Sequence, residues 1–133
     1  MIDTYKTYLA ADRSLTLEEM EQLHGDMVSE MGNDPDALEL YQELAVTATR
    51  YISFRSQWFL WSRAEKTDRD SSRTACHNSL IVKFNQLARY LRLQGHEAAW
   101  RETLGHEEED PYNRKRIGDF GCYLAFVNSL CAR

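Results

Sequence analysis

Both prolines of this chain directly follow an aspartate, as Asp34-Pro35 and Asp110-Pro111. An aspartate accepts hydrogen bonds from the free N–H groups of a first helical turn, and proline fits the first helical position, where its missing N–H has no intrahelical partner. Each pair therefore marks a helix start. Thr16 followed by Glu19 marks another, because this spacing lets each side chain satisfy the other's backbone N–H. Gly32, Gly95 and Gly105 stand where helical patterns end. No segment alternates with a period of two, and no internal repeat is present. The expected fold is all-α: a single domain over 1–133, built as an antiparallel bundle of four main helices with one or two short extra helices.

Apolar spacing fills in the elements. The helix opened by Thr16 places Leu17, Met20, Met27, Val28 and Met31 on one face. Gly25 weakens its middle by roughly 1 kcal/mol relative to alanine and permits a bend. From Pro35 a helical pattern runs to about Lys66, with Leu40, Leu44, Tyr51, Phe54, Trp58 and Trp61 in period and Leu38, Tyr41, Ala45, Ala48 and Ile52 flanking. The polar stretch 67–72 offers Asp68, Asp70 and Ser71 as caps for a third main helix bearing Leu80, Ile81, Phe84, Leu87, Ala88 and Leu91. A short amphipathic piece spans His96 to Leu104, and His106 to Glu109 reads as a solvated turn. The last helix is apolar on most sides from Ile117 to Leu130 and belongs at the centre. Gly118, Cys122, Ala125 and Ser129 make one face small, open to close approach by the helix from Pro35. Residues 3–11 form a candidate short helix.

At 43% apolar and 28% charged residues, 133 residues bury a core without metal or disulfide staples. The net charge of −5 disfavours general nucleic-acid or anionic-membrane binding, which needs a basic footprint. Cys76, Cys122 and Cys131 are odd in number, form no CxxC pair and sit in apolar helical patterns, as free thiols in a reducing compartment do. No basic start with a long apolar run opens the chain, and the most apolar run is too short to span a bilayer. These readings lead to the expectation of a cytoplasmic protein outside the membrane.

Two polar constellations stand out. Arg73 and His77 share a helix face, four residues apart, with Asn78, Asn85 and Arg89 in a second line beside them. They read either as a small site between helices or as hydrogen bonds holding the bundle in register. Arg114, Lys115 and Arg116 precede Asp119, which lies among Ile117, Phe120 and Tyr123. A carboxylate there requires a partner, because bare burial costs several kcal/mol. The basic triplet reads either as an anion or phosphate site near a helix start or as a salt bridge with a solvated turn. The candidate ligand-binding residues are thus Arg73, His77, Asn78, Asn85, Arg114, Arg116 and Asp119. Four scattered histidines, without the spacing of a zinc motif, indicate no metal and no cofactor.

Helical nucleotide pyrophosphohydrolases pair ExxE with ExxD to hold magnesium. Glu18 and Glu21 have the first spacing, and Glu65-Asp68 and Glu107-Asp110 the second, the former expected at a fraying helix end and the latter in a turn. HEPN ribonucleases carry an arginine, then four to six intervening residues, then a catalytic histidine. Arg89–His96 and Arg101–His106 fit that count, each with a glycine before the histidine that ends the helix. Asp70-Ser71-Ser72-Arg73, His77-Asn78-Ser79-Leu80-Ile81 and Arg114-Lys115-Arg116-Ile117-Gly118-Asp119-Phe120 together resemble a family of small bacterial all-helical proteins of unknown function. That resemblance covers roughly residues 70–133 and implies a small helical fold. The favoured expectation is a non-enzymatic protein-interaction module that self-associates, as a homodimer closed around Trp58 and Trp61. The alternative is a small enzyme or phosphate-ligand binder using Arg73, His77 and the Arg114–Arg116 turn.

Overall fold

The computed structural model describes residues 14–57, 62–105 and 111–131; within its helices, the side chains of 55–57, 70, 73, 111–115 and 129–131 lie outside the description. The described residues form five helices: α1 (Leu17–Met31), α2 (Pro35–Gln57), α3 (Arg63–Leu93), α4 (Ala99–Thr103) and α5 (Pro111–Cys131). No strand occurs among them, so the fold is all-α. The candidate helix over residues 3–11 and the turn from His106 lie outside the described residues.

Local chemistry sets the ends. Thr16 Oγ1 accepts from Glu19 N–H at 3.0 Å, and Glu19 Oε1 accepts from Thr16 N–H at 2.9 Å. Hydrogen bonding from the Thr16 backbone N–H, and then from the Thr16 side chain, holds the Glu19 carboxyl below the usual carboxylate range. Asp34 Oδ1 accepts from Asp36 and Ala37 N–H at the start of α2, while its Oδ2 accepts from Tyr90 Oη at 2.6 Å. The same bond pushes the Tyr90 phenol up to about 12 and the Asp34 carboxyl down. One residue thus caps α2 and fastens it to the far end of α3. Gly32, Gly95 and Gly105 take left-handed φ values of 52°, 95° and 80°, where L side chains are strained.

The α2–α3 boundary differs from the expectation. The described course of α2 stops at Gln57, short of Lys66, and Ser62 opens α3 with a second capping box: Ser62 Oγ accepts from Glu65 N–H, and Glu65 Oε1 accepts from Ser62 N–H. The polar stretch 67–72 lies inside this 31-residue helix instead of between two helices. It stays helical because its described side chains from Thr67 to Ser72 are exposed, so water meets their polar groups. Thr67 Oγ1 also donates to the Arg63 carbonyl one turn back.

Pairings show direction. Asp34 with Tyr90, Glu43 with Lys83 and Tyr51 with His77 run α2 against α3 in opposite senses. Tyr41 with Asn128 and Tyr51 with Gly118 do the same for α2 and α5. The core faces are turned somewhat from the expected stripes. On α1 the buried set is Met20, Leu23, Met27 and Met31, whereas Val28 is exposed. On α2 it is Ala37, Leu44, Ala48, Tyr51 and Ile52, with Leu38 exposed. Phe84 stacks on Phe120 at 5.7 Å and tilts against Trp100 at 6.4 Å, joining α3, α5 and α4.

As expected, α5 is central: every residue from Ile117 to Phe126 is buried. Gly118 admits α2, since a Cβ there would lie 2.7 Å from Tyr51 Oη. Gly121 admits α3, with a Cβ only 2.6 Å from Leu80 Cδ2. Leu80 is itself fully buried and has no open side to move toward. Overpacking of this kind costs about 1–3 kcal/mol, against at most about 1 kcal/mol gained from helix propensity. Gly121→Ala is therefore expected to lower stability by about 1–2 kcal/mol in urea titration. Gly25→Ala, with nothing within 4 Å of its new Cβ, is expected to raise it by about 1 kcal/mol. Equal effects at the two sites would refute this packing account.

Candidate functional site

The residues singled out in the sequence lie on α3 and α5. His77 is buried on α3, its ring edge-on to Tyr51 at 5.5 Å. Asn78, the next residue, is exposed. Asn85 accepts at Oδ1 from Arg101 Nε at 2.7 Å, and Arg101 Nη1 donates to the Gly105 carbonyl at 2.7 Å. Arg116 Nη1 donates to the Thr103 carbonyl at 3.3 Å. The backbones of residues 73 and 114 lie in α3 and α5, while the side chains of Arg73 and Arg114 lie outside the description.

Asp119 is fully buried, as its apolar neighbours in sequence required. Ser14 is one of its partners, its N–H and hydroxyl both donating to Oδ2 at 2.9 and 2.8 Å. This clasp joins α5 to the segment just ahead of α1, 105 positions away.

Sequence reasoning missed several residues. Arg101 is buried, and its guanidinium carries two bonds that tie α4 to α3 and to its own C-terminal turn. Glu30 accepts from Ala98 N–H at 3.0 Å and from Trp100 Nε1 at 2.8 Å, fastening α1 to α4. No local spacing announces either residue, because each partner is remote along the chain or created by a turn. His24 lies between Tyr41 of α2 and Tyr123 of α5. Asn128 Nδ2 donates to Tyr41 Oη at 3.0 Å, and His24 Nε2 is hydrogen-bonded to the same Oη at 2.8 Å. Burial lowers the His24 pKa.

Of the acidic pairs of the hydrolase comparison, Glu107–Asp110 lies outside the described residues, and the other two are not gathered into a metal-binding group. Glu18 and Glu21 are exposed on α1. Glu65 and Asp68 are exposed in the opening turns of α3, not at a fraying end, with Glu65 committed to its capping box. No group of three or more His, Cys, Asp or Glu side chains suited to a metal occurs among the described residues. Of the arginine–histidine spacings, Gly95 ends α3 before exposed His96, and His106 lies outside the described residues. Cys76 and Cys122 form no disulfide among the described residues, and Cys131 lies outside the description.

Two openings stand out among the described residues, and one of them takes in Asn85 and Arg89. A groove of about 320 Å³ runs between α2 and α3, lined by Glu39, Gln42, Glu43, Val46, Thr47, Arg50 and Lys83. A second, of about 440 Å³, follows one face of α3 along Asn85, Ala88, Arg89, Arg92 and Leu93. No described helix is long and apolar enough to cross a membrane.

Two predictions follow from these geometries. Asp119→Ala leaves two donors of Ser14 without their acceptor in a buried setting and is expected to cost about 3 kcal/mol in urea titration. A change near zero would refute the clasp. For His24, a folded pKa below the free value means that the unfolded chain binds more protons between the two values. Its contribution to stability is complete above the unfolded pKa of about 6.5 and declines as pH falls through it toward the folded value. The carboxylates with lowered pKa values, Glu19, Asp34 and Glu65, act in a more acidic range. Between pH 7.5 and 5.5, wild type is therefore expected to lose more stability than His24→Gln; parallel losses would refute the assignment.

No family model, curated protein or solved structure matches the chain, so its own geometry carries the functional reading.

Proposed function

We propose that this protein is a non-enzymatic helical interaction module that works by self-association, as a homodimer. The observation that supports this reading is the groove between α2 and α3. Val46 on its wall is 53% exposed, and Val82, next to the groove residue Lys83, is 50% exposed. The same groove carries both signs of charge, with Glu39 and Glu43 ahead of Val46 on α2 and Arg50 after it.

That order is self-complementary. A two-fold axis passing near Val46 lays α2 of one copy antiparallel to α2 of the other. The acidic stretch at Glu43 then meets Arg50 of the second copy, and this happens twice. A self-matching patch of this kind closes a dimer with a single interface. The valines supply apolar contact, while the charges set register more than affinity. Trp58 and Trp61, the aromatic end expected to contribute, lie outside the described residues. The polar residues at Asn85, Arg101, Arg116 and Asp119 serve in this reading as braces, since each joins one element to another.

Sedimentation equilibrium at micromolar concentration tests the proposal, with an expected species of twice the 15.5 kDa chain mass. Val46→Asp is expected to weaken the dimer about tenfold, or roughly 1.4 kcal/mol. Val28→Asp, on the exposed side of α1, is expected to leave it unchanged. A single 15.5 kDa species for wild type would overturn the reading.

A further inference from the structure

The geometry points to the α3 cleft as a binding site for a small carboxylate with a short aliphatic body. The cleft holds about 440 Å³, within the range of small-ligand sites. Asn85, Ala88, Arg89 and Arg92 recur at three- and four-residue spacing, so they share one face of α3, and Leu93 adjoins them. Among the described residues of this lining, every polar side chain carries N–H donors and none carries a carboxylate. In a chain of net charge −5, a cleft of this composition selects an anion.

Three details define the ligand. Arg89 is exposed and makes no hydrogen bond or ion pair with any described residue, so its planar fork is available for two-point contact with a carboxylate. Asn85 is oriented in advance: buried Arg101 holds its Oδ1 at 2.7 Å, which leaves its Nδ2 edge to donate. Arg92 is already engaged, donating to Glu102 Oε1 at 2.9 Å and to the Glu97 carbonyl at 3.2 Å. One unengaged guanidinium and one amide match a monoanion better than a phosphate dianion. The apolar part of the lining then accounts for the body of the ligand. Ala88 is 1% exposed and forms a floor, while Leu93, at 75%, is the most exposed large apolar side chain among the described residues. An aliphatic chain lying on these two removes apolar surface from water.

The test is an NMR titration of the whole chain with hexanoate, hexanamide and inorganic phosphate at fixed ionic strength. Hexanoate is expected to give saturable shifts at the amides of residues 85–93 and at the Arg89 Nε–H. Hexanamide and phosphate are each expected to bind at least tenfold more weakly. Arg89→Gln is expected to weaken hexanoate binding at least fivefold with a little-changed melting temperature, because the exposed side chain makes no hydrogen bond or ion pair with a described residue. The proposal is overturned by no saturable shift, by shifts mapping elsewhere, by hexanamide or phosphate binding as well as hexanoate, or by an unaffected Arg89→Gln.

Discussion

A helix that is apolar around its whole circumference must be covered on every side, and α5 imposes that demand on the rest of the chain. From Ile117 to Phe126 none of its residues reaches solvent appreciably. Two glycines make the covering close: Tyr51 of α2 lies over Gly118, and Leu80 of α3 lies over Gly121. With α2 running opposite to both neighbours, the Phe84–Phe120 stack fills the space between α3 and α5. Trp100 closes one edge of that stack from α4. Removing apolar surface from water at this centre is the main favourable term, and the glycines decide how near the helices come.

Around this centre, polar side chains act as fasteners between elements that differ greatly in their own stability. Five-residue α4 is too short to persist alone. Glu30, Arg92, Arg101 and Arg116 all bond to it or to the turns flanking it. Ala98, just ahead of α4, is fully buried at a φ of 51°, a left-handed conformation costing about 1–2 kcal/mol for a residue with a Cβ. The Glu30 carboxylate accepts its N–H and holds it there. Asp119 does comparable work at the other junction, drawing Ser14 onto α5. Where the group is buried, as at Arg101, Ala98 and Asp119, a bond omitted would cost more than a bond made contributes.

The surfaces left over divide between two parts of α3. Lys83 contributes to the groove shared with α2, where both charge signs alternate around Val46. Two to ten residues further on, Asn85 to Leu93 frame a cleft lined by donors and apolar groups. A patch matched to itself suits a second copy of the chain, whereas a patch of one polarity suits a complementary small molecule. The buried Arg101 links the second surface to the fold, because the side chain that braces α4 also orients Asn85.

Much of this architecture was legible in the sequence because its signals are local. Thr16 with Glu19, and Asp34 with Pro35, act within one helical turn. The small positions of α5 announced a close neighbour, and Asp119 among apolar residues announced a buried, partnered carboxylate. Ser62 with Glu65 carried an equally local signal, masked by the polar run behind it that resembled a linker. Tertiary structure alone decided such partners as Ser14 for Asp119, Asn85 and Gly105 for Arg101, and Trp100 and Ala98 for Glu30. Capping and periodicity act over three or four residues and are written in order along the chain. Pairing across tens of residues depends on how helices rotate and approach, and that is set by the packing of the whole core.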